Sequence, residues 1–353
     1  MEALIKPQKL EIGDTIATVS LSGGAAGDLL DWYNVAKSRL NNLFGLNVVE
    51  TPHSLKGRKY IYENPEASAD DLMGALTNQD VKGIFLNVGG DDAIRTLPYV
   101  DFHVIRDNPK IFLGFSDATV IHFMFLKAGV SSFSGPNVLT TLSEPGLLHP
   151  YTEKWLKKVL FHAEPIGDVE PPDEWANEPI DWDNGLNKKR KMTPNHGYEL
   201  LQGKGKVKGR LIGGSAGPLA FMIKGTCLFP PIQDWENTII FLDGMTPYAP
   251  VSAFVHMLKG LAAAGIFRKA AGIIISKPVQ DEEHEKIGQA VLRVIRDEEG
   301  LHDIPILFNV DFGHTAPMCT IPYGAMAEID CENKTFRILE PGVTEKSFKH
   351  EEK

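Results

Sequence analysis

Short apolar runs alternate with longer amphipathic stretches along the first part of the chain. The apolar runs predict buried strands at residues 15–20, 46–50, 83–88 and 110–113. The amphipathic stretches predict helices at residues 28–43, 69–76 and 119–128. Strands that alternate with helices in this way indicate a parallel, doubly wound sheet. Ligands bind such sheets beyond the carboxyl ends of the strands, which directs attention to Gly89-Gly90 and to Ser116-Asp117.

The same alternation resumes near residue 205. Strands are predicted at residues 238–242, 271–276 and 304–310, helices at 252–264 and 281–299, and a terminal hairpin over 324–330 and 335–339. Residues 142–205 are rich in proline and contain Trp155, Trp175 and Trp182. We therefore predict an N-terminal α/β domain over residues 1–162, a connection over 163–204 that passes over the site, and a smaller C-terminal α/β domain over 205–345. A surface loop packed by its own aromatic rings is an alternative interpretation of the connection.

Composition narrows the class of protein. The chain has 353 residues, of which 43% are hydrophobic and 23% charged, as in ordinary globular proteins. Its formal net charge of −10 argues against nucleic acid as a partner, because phosphate binding needs a dominant basic face. The basic run at residues 188–191 is predicted to be a solvated loop. Cys227, Cys319 and Cys331 are too few and too scattered for a disulfide framework or a thiolate zinc site.

Targeting and nucleotide-binding motifs are also missing from the sequence. The first residues lack the basic and apolar regions of a signal peptide, and no uncharged apolar run approaches the roughly 18 residues of a membrane span. Neither the Gly-x-Gly-x-x-Gly pattern of dinucleotide-binding folds nor a Gly-Lys-Ser/Thr phosphate loop occurs. We expect a cytoplasmic protein without a membrane partner.

Ser116 is the sharpest local feature of the sequence. It follows a predicted strand and precedes a predicted helix, the position of a nucleophile on a sharp strand-to-helix turn. Such a turn aims the backbone N–H of Asp117 at the same point, where it can hold an oxyanion. Gly90 offers a second N–H beside the first, because glycine tolerates positive φ and carries no side chain. The structural alternatives are an ordinary helix N-cap at Ser116 and a tight turn at Gly89-Gly90.

A serine nucleophile needs a base, and the base needs an orienting acid. His314 follows an apolar strand and lies between Gly313 and Pro317, which place it on a defined loop. Asp243 ends a predicted buried strand, where a carboxylate is partly desolvated. His122 is predicted to be a core residue and His284 part of a solvated helix face.

Several motifs, in order along the chain, resemble the LD-carboxypeptidase family of serine peptidases, and particularly its microcin-C self-immunity branch. The motifs are residues 10–17, Gly89-Gly90, residues 97–101 and 109–119, Gly135-Pro136, residues 209–214, Gly225-Thr226, and residues 265–267, 313–315 and 321–324. The resemblance covers nearly the whole chain. It implies an N-terminal Rossmann-like, amidotransferase-like parallel sheet joined to a smaller C-terminal α/β domain, in a homodimer, with no metal and no organic cofactor.

The resemblance also implies roles for individual residues. Ser116 matches the family's nucleophile and His314 its general base, while the N–H groups of Gly90 and Asp117 match its oxyanion hole. At the position of the family's acid this chain has Asp243 instead of glutamate. The shorter side chain leaves its carboxylate about 1.5 Å short unless the backbone moves. A misplacement of that size costs on the order of 100-fold in rate.

Substrate contacts are expected around this triad. The extra length of residues 163–200 resembles the immunity branch, in which a tryptophan of the corresponding loop stacks on the nucleobase of the substrate. Trp175 and Trp182 are the candidates, with Trp175 preferred; alternatively, both rings only pin the loop. Gly89, Ser215 (where relatives often carry asparagine) and Lys277, which would grip a carboxylate, are further candidate substrate contacts.

These observations favour a serine carboxypeptidase that hydrolyses a C-terminal amide of a small peptide or an aminoacyl-nucleotide conjugate. The alternative within this class is a murein tetrapeptide carboxypeptidase of cell-wall recycling. The alternative outside it is a degenerate homologue that binds such a conjugate without cleaving it, which the change at Asp243 motivates.

Overall fold

Two α/β domains make up the described part of the chain, which comprises residues 3–176, 178, 180–183, 185–244 and 250–346 of a computed structural model. The first domain contains strands β1 (Thr15–Val19), β2 (Asn47–Glu50), β3 (Val81–Leu86), β4 (Ile111–Gly114) and β5 (Phe133–Ser134). Its helices are α1 (Ala25–Asp28), α2 (Leu30–Phe44), α3 (Gly57–Glu63), α4 (Pro65–Thr77), α5 (Phe102–Asp107), α6 (Ala118–Ala128) and α7 (Pro150–Leu160). Short helical turns cover Ala93–Tyr99 and Val138–Leu142.

The rest of the chain supplies the second set of elements. Its strands are β6 (Gly167–Val169), β7 (Glu174–Ala176), β8 (Met192–Pro194), β9 (Glu199–Gln202), β10 (Lys206–Ser215), β11 (Thr238–Asp243), β12 (Gly272–Ser276), β13 (Ile306–Val310), β14 (Ile321–Pro322), β15 (Met326–Asp330) and β16 (Thr335–Ile338). Its helices are α8 (Val251–Ala263) and α9 (His284–Leu292), with short turns at Pro218–Ile223, Ile232–Trp235, Ile266–Arg268, Asp281–Glu283 and Arg293–Glu298.

The strands assemble into two large sheets and one small one. The first sheet has the order β14-β5-β4-β3-β1-β2, in which β1 to β5 pair in parallel and β14 pairs antiparallel with β5. The second has the order β6-β16-β15-β10-β11-β12-β13-β9, with a parallel centre from β10 to β13. Strands β7 and β8 form a separate antiparallel pair. Because β14 returns to the first sheet, the chain crosses between the two domains more than once.

The predicted fold class, a parallel N-terminal sheet joined to a second α/β domain, is confirmed, and so is the terminal hairpin of β15 and β16. Helix α7 is not predicted by the sequence pattern, because the prolines of residues 142–205 favour a loop. Pro150 stands in the first turn of that helix, where a missing N–H costs nothing. The single helix predicted over 281–299 is divided into a turn, α9 and a wider turn, since apolar periodicity does not report hydrogen-bond register.

Helix α6 joins the two domains. Its residues are almost all buried, and it packs against β4 and β5 of the first sheet and against β10 of the second. The carboxyl ends of β3 and β4 therefore come close to the carboxyl ends of β10 to β13. Parallel sheets place their ligand sites at this edge, and here two such edges face each other.

No helix among the described residues combines the length and the apolar character needed to cross a membrane.

Candidate active site

Ser116 lies on a sharp turn between β4 and α6. Its φ of 67° is in the left-handed region, which costs a residue other than glycine about 1–3 kcal/mol. The turn is held by Asn137, whose Oδ1 accepts the N–H of Phe115 at 3.0 Å. Gly89 leaves room for the serine, because a Cβ there would lie 2.9 Å from Ser116 Cβ and 3.0 Å from its Oγ. A strained backbone that presents a hydroxyl at a strand end is typical of a nucleophile.

A chain of hydrogen bonds leads from the Ser116 hydroxyl to His314 and from His314 to Asp243. Nε2 of His314 lies 3.1 Å from Ser116 Oγ, and Nδ1 lies 2.7 Å from Asp243 Oδ2. The imidazole also packs edge-on against the ring of Phe115. Distances of this size between hydroxyl, imidazole and carboxylate are those of hydrogen bonds, so a proton can pass from the serine to the ring while the acid orients it.

Asp243 reaches the histidine although it is one methylene shorter than the glutamate of the family pattern. Its side chain is buried at the end of β11, and its Oδ1 and Oδ2 accept hydrogen bonds from Ser276 Oγ at 3.2 Å and Ser215 Oγ at 3.0 Å. Gly313, with a φ of 85°, packs directly onto the carboxylate, where a Cβ would overlap it. At 2.7 Å from Nδ1 of His314, the carboxylate shows none of the shortfall expected from the shorter side chain.

The proposed oxyanion donors, Gly90 and Asp117, lie next to this line. Asp117 N would lie 3.4 Å from a Cβ on Gly89, which places that N–H beside the Gly89-Gly90 backbone. Gly90 has a φ of 153°, and a Cβ on it would lie 2.5 Å from Ser22 Oγ. Glycine suits this close approach and this φ, and the Gly89-Gly90 backbone lies beside the turn that carries Ser116.

The Asp117 side chain points away from the serine and ties the surrounding loops together. Its Oδ2 accepts Ser22 Oγ–H at 2.5 Å and the N–H of Ala93 at 2.8 Å. Burial raises the pKa of the Asp117 carboxyl from 3.8 to about 6, while these two hydrogen bonds oppose the shift. This carboxylate thus links the nucleophile turn to the two loops that border Gly90.

Asp117→Asn is expected to change the pH dependence of stability. The unfolded carboxyl ionises near pH 3.8 and the folded one near pH 6. Stability from this group is therefore complete below about pH 4 and is lost as the pH rises through 6, by about 3 kcal/mol in total. The Asn variant lacks this loss.

Urea unfolding at pH 4 and pH 7 checks this prediction. Between pH 4 and pH 7, the difference in unfolding free energy between variant and wild type should move in favour of the variant by about 2.4 kcal/mol. Burial also raises the pKa of Asp311 to about 6. Because Asp311 is present in both proteins, its contribution to the pH dependence cancels in the difference. A difference that does not vary with pH would contradict the assignment.

A cavity of about 850 Å³ opens above Ser116 and His314. Its wall includes Gly89, Gly90 and Trp182. The Nε1–H of Trp182 donates to the carbonyl of Leu139 at 3.3 Å. Charged and polar residues also line the cavity: Arg58, Lys59, Tyr62, Asp91, Asp92 and Asn137. The cavity is large enough for a small conjugate and has an aromatic ring fixed in its wall.

Trp175 and Lys277 are not in this cavity. Both are buried, and Lys277 Nζ lies 5.1 Å from the centre of the Trp175 ring. The ammonium bonds the Oδ1 atoms of Asn195 and Asn309, each at 2.9 Å, and pairs with Asp311 at 3.6 Å. Loss of hydration lowers the pKa of Lys277. Trp175, Lys277 and Asn309 line a separate cavity of about 390 Å³.

Ser276 and Thr119 belong to the site but were not singled out from the sequence. Ser276 ends a strand as Asp243 does, so its position at a carboxyl end was a usable signal. Thr119 lies one helical turn after Ser116, where only tertiary contacts show its role.

His122 and His284 are not part of this site. His122 is fully buried, and its ring nitrogens form hydrogen bonds with Ser132 Oγ and the carbonyl of Gly114. Burial lowers the pKa of His122 to about 3. His284 contacts Glu199 at 2.8 Å. Within the described residues, no group of three or more histidine, cysteine or acidic side chains is placed to hold a metal ion.

The fold and the site together have the organisation of a serine hydrolase. Comparison with known proteins agrees: the LD-carboxypeptidase N-terminal domain matches residues 16–135, and the LD-carboxypeptidase C-terminal domain matches residues 208–329. The chain belongs to the LD-carboxypeptidase family, and its class is that of the serine-type carboxypeptidases.

Individual relatives cover almost the whole length. The microcin C7 self-immunity protein MccF of Escherichia coli is 29% identical over 94% of this chain and 94% of its own. An MccF-like protein from Streptococcus pneumoniae, solved in complex with AMP, is 32% identical and superimposes with a TM-score of 0.84 over 92% of this chain and 98% of its own. MccF in complex with glutamyl sulfamoyl guanosine is 25% identical, with a TM-score of 0.83 over 96% and 100%.

Proposed function

We propose that the protein hydrolyses the amide-type bond between an amino acid and a nucleotide-like group, with Ser116 as nucleophile, His314 as general base and Asp243 as the acid. One observation carries the proposal: the line of hydrogen bonds from Ser116 through His314 to Asp243 opens into the cavity whose wall contains Trp182. The complexes of MccF-like relatives with AMP and with glutamyl sulfamoyl guanosine support this substrate class.

In the proposed mechanism, His314 Nε2 takes the proton of Ser116 as Oγ attacks the carbonyl carbon. The N–H groups of Gly90 and Asp117 stabilise the negative oxygen of the tetrahedral intermediate. The imidazolium returns the proton to the leaving nitrogen, the carbon–nitrogen bond breaks, and the acyl group stays on Ser116. A water molecule, deprotonated by His314, then releases the acid and restores the serine.

Asp243 fixes the tautomer on which this mechanism depends. Its carboxylate accepts the Nδ1–H of His314, so that Nε2 is free to act as the base. Every step uses groups of this chain and water.

A cleavage screen by mass spectrometry tests the proposal. Wild type and Ser116→Ala are incubated with aminoacyl-sulfamoyl adenosines carrying acidic and neutral side chains, with murein LD-tetrapeptide and with short acidic peptides. We expect Ser116-dependent release of the amino acid from the adenosine conjugates. Cleavage of the tetrapeptide alone would assign the protein to cell-wall recycling. Absence of cleavage by the folded protein would favour a homologue that only binds.

Trp182 is proposed to stack on the nucleobase, since its ring lies in the cavity wall and is fixed by its bond to Leu139. Trp182→Ala is expected to raise KM for an adenosine conjugate by about 10-fold with little change in kcat, because stacking contributes about 1–3 kcal/mol per base. Trp182→Phe, which keeps an aromatic face, is the matched control. Steady-state kinetics check the result, and an unchanged KM for the Ala variant would exclude this role.

A further inference from the structure

Two polar side chains outside the triad, those of Thr119 and Ser215, join its two ends. Thr119 Oγ1–H donates to the carbonyl of Ser116 at 2.7 Å. The same oxygen atom accepts the N–H of Ser215 at 2.9 Å. The Ser215 hydroxyl in turn donates to Asp243 Oδ2, the atom that bonds His314.

These contacts close a ring. It runs from Ser116 Oγ to His314, to Asp243, to Ser215, to Thr119 and back to the carbonyl of Ser116. Ser116 and Thr119 belong to the first domain, whereas Ser215, Asp243 and His314 belong to the second. The ring therefore crosses between the domains twice, once at the reacting hydroxyl and once behind it.

The backbone is shaped to permit the second crossing. Gly214 has a φ of 128°, and a Cβ on it would lie 2.6 Å from both Oγ1 and Cγ2 of Thr119. Strand β10 can therefore end against α6 only because this residue is glycine. Thr119 and Ser215 are both buried, so water does not compete for their hydrogen bonds.

We infer that Thr119 and Ser215 are positioning residues that hold the serine and the acid of the proposed triad in register across the domain boundary. The inference rests on the proposed function. It also gives Ser215 a different role from the substrate contact that the sequence suggested: with Ser276, it holds the shorter acid at the distance that His314 requires. A ring of this kind orients Ser116 Oγ through the backbone on which it is mounted.

Thr119→Val tests the inference, because valine keeps the shape and lacks the hydroxyl that makes both hydrogen bonds of the ring. We expect kcat to fall by about 10–100-fold with KM close to the wild-type value, since a small displacement of the nucleophile affects the reaction and not binding. Inactivation by a serine-directed fluorophosphonate should slow by a similar factor. Thr119→Ser, which retains the hydroxyl, should restore most of kcat.

Thr238→Val is the matched control. Its Oγ1 donates to the carbonyl of Trp235, also three residues earlier, at 2.8 Å in a buried strand away from the ring. The Thr238→Val substitution removes the same kind of local hydrogen bond and should leave kcat near the wild-type value. An equal loss of kcat in both variants would mean that Thr119→Val acts through a general loss of stability, and this would overturn the inference.

A double-mutant cycle completes the test. Ser215→Ala breaks the ring at a second point, so the double variant with Thr119→Val should lose no more kcat than the more affected single variant. Fully additive losses, or wild-type kcat in Thr119→Val, would overturn the ring. If Ser116→Ala kept its activity, the proposed function would fall instead, so the two failures are distinguishable.

Discussion

Ser116→Ala is expected to lower kcat by on the order of 10⁶-fold, because it removes the atom that forms the acyl-enzyme in the proposed mechanism. The oxyanion donors and the cavity remain, so the residual rate should still exceed that of the uncatalysed reaction. Substrate binding should persist, because the cavity wall and Trp182 are unchanged. Single-turnover kinetics with an adenosine conjugate measure the loss, and isothermal titration calorimetry measures the binding.

Ser68→Ala is a suitable control for this variant. Ser68 is buried in α4, and among the described residues its hydroxyl has no hydrogen-bond partner, so its removal leaves the site intact. The control should retain wild-type kcat. If Ser116→Ala also turned over within 10-fold of wild type, Ser116 would not be the nucleophile.

Asp243→Asn is expected to lower kcat by about 10⁴-fold while leaving the fold in place. The carboxylate accepts hydrogen bonds from His314, Ser215 and Ser276, and the amide can no longer hold the imidazole in the tautomer that leaves Nε2 free. The kcat of the variant should be measured across the pH range, together with its thermal unfolding. A loss of less than 10-fold with a normal melting temperature would mean that another group orients His314.

Asp243→Glu decides whether the shorter acid is adapted or impaired. The carboxylate already lies 2.7 Å from Nδ1 and is enclosed by two serine hydroxyls and Gly313, so a further methylene of about 1.5 Å has no free space. We expect kcat to fall by about 10–100-fold. A large gain would instead support the view that the site is degenerate. Asp168→Glu, in an exposed pair with Arg337, controls for the substitution itself.

Much of this architecture could be predicted from the chain, for physical reasons that differ between elements. Buried parallel strands are nearly continuous apolar runs, so the pattern predicts β3, β4, β11 and β13. The rule that ligands bind beyond the carboxyl ends of such strands then directs attention to the residues that follow them. The candidates Ser116, Asp243 and His314 follow from this rule. The distances between these three side chains cannot be predicted from the sequence, because they depend on how α6 packs between the two sheets.

The tryptophans show where sequence reasoning ends. Trp175 and Trp182 lie seven residues apart in one proline-rich segment, and their surroundings in the sequence do not distinguish them. Pairing of β7 with β8 turns Trp175 inward over Lys277, whereas Trp182 follows that strand and reaches the cavity. Strands as short as β7 and β8 carry too few residues for an alternating pattern to be visible.

The distribution of the site over two domains has a consequence for synthesis of the protein. Ser116, Gly90 and Asp117 are made early and belong to the first domain. Asp243 and His314 follow them by more than a hundred residues, and the sequence separation of Ser116 and His314 is 198. N-terminal domains generally fold first as a chain leaves the ribosome. Such a nascent domain would carry a serine and its oxyanion donors without a base, and hydrolysis would begin only when the last part of the chain docks.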